Sequence, residues 1–161
     1  MSAIFCSLTF ATTYIALPTP IGNVNLGDFM LLLGAWLLGW FALIACPLGQ
    51  ALCDIISGWA LYAPATLVIK SIMVLIILLF KSFWKKHSKT EKMLRIISSI
   101  IAELIMIIGY FTYEAVILSY GLSASITFIS NGIQGAVNIL LAFIIYALII
   151  KTNVRKLFYD V

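Results

Sequence analysis

The sequence predicts an all-α membrane protein, a bundle of six transmembrane helices, from three observations. The chain of 161 residues is 63% hydrophobic and only 10% charged, where a soluble domain carries roughly 25% charged residues. Its mean hydropathy is +1.14, and its apolar runs are separated by short polar or proline- and glycine-rich breaks. Its positive charge is gathered in two places. Lys81, Lys85, Lys86, Lys89, Lys92 and Arg95 lie in one connection, and Lys151, Arg155 and Lys156 lie in the tail. This is the positive-inside pattern of a protein in a lipid bilayer, not a nucleic-acid footprint. No separate soluble domain fits, so residues 1–161 read as a single membrane domain.

The first span runs from about Ser2 to Leu17 and stops at Pro18, with Pro20 confirming the break. No basic segment precedes it and no small-residue cleavage site follows, so it reads as a retained span rather than a signal peptide. Ala3, Ser7 and Ala11 recur every fourth residue and make a smooth stripe for close approach by another helix, in this protein or in a partner. The polar, glycine-punctuated loop Pro20–Asp28 comes next. Span two is Phe29 to about Ala45, with Trp36 and Trp40 spaced as on one face. Pro47 reads as the opening of span three, from about Leu48 to Ser57. That span is too short to cross about 30 Å alone as a straight helix. It carries Asp54, a carboxylate that is costly at membrane depth unless paired or solvated. The aromatic turn Gly58–Pro64 leads into span four, about Ala65 to Phe83, which contains Lys70. After the basic connection at 85–95, span five runs from about Ile96 to Tyr120 and span six from about Asn131 to Ile150, joined by a turn rich in small residues.

Placing both basic segments in the cytoplasm puts the N- and C-termini inside. The Pro20–Asp28 loop, the Trp59–Tyr62 turn and the 121–130 turn then lie outside, and none of them contains Lys or Arg. Polar groups sort to this outer half. Lys70 falls about 9 Å below Pro64 at 1.5 Å per residue, and Glu114 lies at a similar depth before Tyr120. Asn131, Gln134 and Asn138 fall within about 60° on one helix face. The inner half is almost purely apolar, with Glu103 the exception. Asn23, Asn25, Trp59, Tyr62, Lys70, Tyr113, Glu114, Asn131, Gln134 and Asn138 therefore form a candidate small-molecule site, with the Pro20–Asp28 loop as its lid. Residue by residue a second reading stays open: Trp59 and Tyr62 as an interfacial belt, the amides as interhelical glue, Lys70 and Glu114 as an ion pair.

Catalysis finds no support. Cys6, Cys46 and Cys53 lack metal-ligand or disulfide spacing, and His87, in the basic connection, reads as a solvated surface residue. No nucleophile motif, zinc spacing or phosphate loop accompanies the acids. The reading is a binding protein with no cofactor of its own. Trp59, Tyr62 and Tyr113 would offer ring area for stacking, and Asn25, Asn131, Gln134, Asn138, Glu114 and Lys70 would bond a ligand's polar atoms.

The run from Pro20 to Asp28 (PIGNVNLGD), followed by Leu48 to Asp54 (LGQALCD), Tyr62 to Thr66 (YAPAT) and Lys70, resembles the substrate-binding S components of energy-coupling factor (ECF) vitamin transporters. Tyr113, Glu114, Asn131 and Gln134 fit the same pattern. The resemblance implies a six-helix subunit of a prokaryotic cell membrane that captures a vitamin from outside and does not hydrolyse ATP. It implies partners as well: a transmembrane coupling subunit and two ATPase subunits, the latter holding ATP and Mg. The loop between the first two helices would gate the site. A small-residue motif in the first helix, here Ala3 to Ser7 with serine where alanine is usual, would contact the coupling subunit. Position 138 carries asparagine where a small residue is common. The resemblance is nearest to the hydroxymethylpyrimidine, pyridoxine and riboflavin group. Hydroxymethylpyrimidine or pyridoxine is the favoured substrate. The alternatives are a riboflavin-specific S component, or a small proton-coupled transporter working through Glu114.

Overall fold

A computed structural model describes residues 1–19, 22–84 and 88–152. The first two residues of the Pro20–Asp28 lid (Pro20 and Ile21), Lys85, Lys86, His87, Arg155 and Lys156 lie outside the described residues. Helix α1 (Ser2–Tyr14) is followed by a two-stranded antiparallel hairpin, β1 (Ala16–Thr19) and β2 (Gly22–Asn25). Then come α2 (Gly27–Leu38), a 3-10 turn (Gly39–Phe41), α3 (Ala42–Ile56) and α4 (Ala63–Trp84). Helix α5 (Ser88–Thr112) runs into a π-turn (Tyr113–Ile117), and a 3-10 turn (Gly121–Ile126) opens α6 (Thr127–Lys151). Among the described residues, four stretches are long and apolar enough to cross a membrane: Gly27–Ile56, Ala63–Phe83, Thr90–Ile117 and Gly121–Lys151. The fold is thus that of a helical membrane protein, but length and composition yield four spans where the sequence suggested six.

Three boundaries differ from the sequence reading, each for a physical reason. The first helix ends at Tyr14, and Ala16 to Thr19 pair with Gly22 to Asn25. Leu17 and Thr19 each precede a proline, which disfavours the helical region and pushes them to extended backbone. The lid is therefore one strand of a hairpin rather than an irregular loop. Next, the break between α2 and α3 falls at Gly39, not at Pro47, which lies inside α3. Gly39 adopts φ +64°, a left-handed conformation that suits glycine. There the chain folds back: Asp28 at the start of α2 meets Gln50 of α3. Because α2 ends at Leu38, Trp40 does not share the face of Trp36; Trp36 is 2% exposed and Trp40 64%. Finally, α5 begins within the basic connection, which is therefore partly helical. Arg95 there is buried, stacked 3.8 Å from the Tyr146 ring centroid and 5.0 Å from that of Trp36.

Helix α2 is the core. It packs against α1, α3, α4 and α6, and Met30 to Trp36 are buried without interruption. Such an all-round apolar helix belongs at the centre of a bundle. Large apolar side chains such as Ile44, Val116 and Ile129 are exposed on the outside of the bundle, as a lipid-facing surface requires. On α1, Phe5, Thr9 and Thr13 are buried, while Ala3, Ser7 and Ala11 are exposed. The small-residue stripe is therefore not used for packing inside this chain.

Small residues also let α1 approach α3 closely. A side chain at Gly49 would lie 3.1 Å from the Phe10 amide nitrogen and closer still to the Cys6 carbonyl oxygen, and neither backbone atom can move aside cheaply. Gly132, also helical, has open space around it. Gly49→Ala is predicted to destabilise the detergent-solubilised protein by about 1–3 kcal/mol, whereas Gly132→Ala is neutral or stabilising by up to about 1 kcal/mol. Thermal unfolding of the two variants side by side checks this.

Candidate functional site

The N-terminus of α2 is where the polar side chains converge. Asp28 lies in the first turn, where a carboxylate suits the helix dipole, and it is 0% exposed. Lys70 of α4 donates to its Oδ1 at 2.5 Å, and Gln50 Nε2 of α3 donates to the same oxygen at 3.1 Å. Gln134 Nε2 of α6 donates to Oδ2 at 2.9 Å. One buried carboxylate thereby holds three other helices. Lys70 is 1% exposed, and its partner is Asp28, not Glu114 as its depth had allowed.

The same knot secures the hairpin. The Asn25 amide N–H donates to Gln134 Oε1 at 3.0 Å, and the Asn25 carbonyl accepts from Asn138 Nδ2 at 2.9 Å. Asn25 Oδ1 accepts from the Gly27 N–H at 3.0 Å, an Asx turn that leads the chain into α2. Asn138 Oδ1 accepts from the Phe29 N–H at 3.0 Å, satisfying a donor that the start of a helix leaves free. The polar face expected on the last helix is thus present, and its work is to hold the hairpin and α2.

Against this knot lies a cavity of about 300 Å³. Asn25, Trp59, Tyr62, Glu114, Asn131 and Gln134, all expected from the sequence, line it. Lys70, Tyr113 and Asn138 do not. Lys70 and Asn138 are committed to the knot, while the Tyr113 hydroxyl donates to the Leu61 carbonyl and its ring packs 5.8 Å from that of Tyr62. Tyr113 therefore braces the aromatic wall from behind. Asn23 pairs through its backbone with Pro18 in the hairpin.

The walls carry different chemistry. Trp59 and Tyr62 meet edge to face at 6.0 Å, in the turn between α3 and α4. Glu114 sits in the π-turn, a feature frequent at functional sites. The Tyr62 hydroxyl donates to its Oε1 at 3.3 Å, and Thr127 Oγ1 donates to its Oε2 at 2.9 Å. Burial first, then the Glu114 carboxylate, raises the Tyr62 phenol above its ordinary range, so it stays protonated and able to donate. Asp54, at the end of α3, accepts from Thr66 Oγ1 at 2.5 Å, and Thr66 in turn lies 2.8 Å from the Tyr110 hydroxyl. Asn131 has no hydrogen bond for its side-chain amide among the described residues, which leaves four bonding positions for a ligand.

Sequence reasoning left out Asp28 as the centre of the knot, Gln50 as its donor, and Asp54, Thr66 and Tyr110 as cavity wall. Asp28 and Asp54 carried a signal, since an acid at membrane depth needs a partner. Thr66 carried none, because a helical Ser or Thr can bond its own preceding turn, as Thr13 Oγ1 does to the Thr9 carbonyl at 2.6 Å.

A family model described as the S component of an ECF-type riboflavin transporter matches residues 1–156 of the chain. No curated protein matches it.

Asp28→Asn is predicted to cost about 3–5 kcal/mol, because it removes the carboxylate that pairs directly with the buried Lys70 ammonium. Lys70→Met should cost a similar amount for the converse reason. In unfolding titrations in mixed detergent, the double variant should lose clearly less than the sum of the two.

Proposed function

Since the chain belongs to the ECF-type riboflavin transporter S-component family, we propose that it binds riboflavin in the cavity beneath the hairpin and hands it inward with an ECF module. Members of the family are multi-pass membrane proteins of prokaryotes and non-catalytic binding subunits. Riboflavin replaces hydroxymethylpyrimidine and pyridoxine, the substrates favoured from sequence, because the family is named for it.

The observation that carries the reading is the convergence of an aromatic wall and uncommitted polar groups on one cavity of about 300 Å³, at the small end of the range for ligand pockets. An isoalloxazine ring is flat, and its pyrimidine edge both donates and accepts. Trp59 and Tyr62 offer ring faces and edges for it. The free Asn131 amide offers both bonding senses to its polar edge. Glu114 and Asp54 accept from N–H groups or from the hydroxyls of the sugar-alcohol chain. Asn25 and Gln134 line the cavity and belong to the knot as well, so the hairpin carrying Asn25 is the natural gate.

The membrane arrangement follows from charge. Lys81 and Arg95 lie at the end of α2 opposite Asp28, and in our reading that end is cytoplasmic. Helices α1, α2 and α3 then cross as well, giving six crossings with the cavity facing outward. The exposed Ala3, Ser7 and Ala11 stripe is the docking face for the coupling subunit. Two ATPase subunits supply ATP hydrolysis with its Mg.

Purified in detergent, the chain is predicted to quench riboflavin fluorescence on binding, and riboflavin at a thousand times Kd should stabilise it by about 4 kcal/mol. Glu114→Gln and Asn131→Ala should each weaken binding at least about tenfold, or about 1.4 kcal/mol. Folded protein that neither quenches nor is stabilised by riboflavin would overturn the assignment.

A further inference from the structure

Glu103 does not line the cavity, yet it is 4% exposed and neither oxygen of its carboxyl has a hydrogen-bond partner among the described residues. A bare carboxyl at membrane depth is costly, and its retention asks for a use in another arrangement of the bundle.

Its surroundings indicate that use. A methyl group on Gly135 would come within 3.1 Å of Glu103 Oε2, and Gly135 follows Gln134, one of the donors to Asp28. Glu103 is near enough to Asp28 and Lys70 for the charges of both to act on it. Lys70 already leans on the same helix: its Nζ lies 5.4 Å from the Tyr110 ring centroid, and Tyr110 is within about 20° of Glu103 around α5. The other ionisable groups near Lys70 are engaged elsewhere, since Tyr110 and Asp54 both meet the Thr66 hydroxyl. Residues 127–142 of α6 contain no ionisable side chain.

The two acids are mounted differently. Asp28 sits in the first turn of α2, in a segment fastened through the Asn25 and Phe29 amides. Glu103 sits in the middle of α5, which packs along α4. When the hairpin and the first turn of α2 loosen, Asp28 leaves with them, and Lys70 and Glu103 stay together on two packed helices. We propose that Glu103 is a second counter-ion for Lys70, taking over the ammonium when the Asp28 end of α2 opens. One ammonium balances one carboxylate, so a proton is exchanged as well. The O–H bond of a neutral Glu103 breaks, one forms on Asp28, and the total charge of the three groups is the same before and after. Opening then strands no charge in the interior. The device belongs to the knot and operates with or without a ligand in the cavity.

The test is hydrogen–deuterium exchange of the full chain in detergent, read over residues 22–29, for the unaltered protein and Glu103→Gln. The amide is neutral like the acid it replaces, so the closed knot and the thermal midpoint are kept, whereas the open form loses its counter-ion. Exchange at 22–29 is expected to slow at least about threefold, with exchange in the middle of α6 unchanged. Unchanged or faster exchange at 22–29, with or without a lowered midpoint, would make Glu103 a packing residue and overturn the proposal. Infrared spectroscopy gives a second reading. The carbonyl band of a protonated carboxyl, assigned by its loss in Glu103→Gln, should vanish in Asp28→Asn, which imitates a protonated Asp28 and obliges Glu103 to carry the charge. Absence of the band from the unaltered protein, or its persistence in folded Asp28→Asn, would overturn the exchange of roles. Glu103→Gln keeps the Asp28–Lys70 pair, so the exchange measurement decides even where Asp28→Asn yields no folded protein.

Discussion

A charged carboxylate is costly inside a hydrocarbon-facing bundle unless it is paired, and the pairing of Asp28 makes the rest of the outer half follow. Its two oxygens take donors from α3, α4 and α6, while Asp28 itself begins α2. Four helices are thus pinned to one point, and the hairpin is tied to it through Asn25. The cavity is what remains beside that knot, walled by the same Asn25 and Gln134 that help to make it. A ligand that engaged either residue would pull directly on the attachment of the hairpin.

The far end of α2 is secured by different means. Lys81 of α4 donates to the carbonyls of Ala35 and Trp36 at 3.2 and 2.7 Å, supplying partners that the end of a helix leaves missing. Arg95 lies over the rings of Trp36 and Tyr146 and bonds Glu91 at 2.6 Å, so a basic residue has become part of the packing. Helix α4 thus holds α2 at both ends, Lys70 at the acid and Lys81 at the carbonyls. That gives the central helix a fixed depth.

Much of this was legible from residues alone. The apolar runs declared a membrane protein, the pair of prolines declared a break after the first helix, and Asn131, Gln134 and Asn138 declared a polar face. What hydropathy does not encode is where a helix turns back: Gly39 and Pro47 both advertise a break, and only the conformation of Gly39 shows which one is used. Depth does not encode partnership either. By depth Glu114 stood level with Lys70, yet the partner is Asp28, a choice that depends on how α4 is rotated against α2. A hydroxyl that bonds its own helix, like that of Thr13, gives no outward sign that it also faces a cavity.

The bonds to Asp28 also impose an order in time. Its donors lie 22, 42 and 106 residues further along the chain. As the polypeptide leaves the ribosome, the acid meets Gln50 first, then the Lys70 ammonium, and Gln134 only when the last helix has arrived. Until then the Asn25 backbone and the first turn of α2 lack their partners on α6. The ties that fasten the hairpin to the bundle therefore come from the part of the chain that is made last.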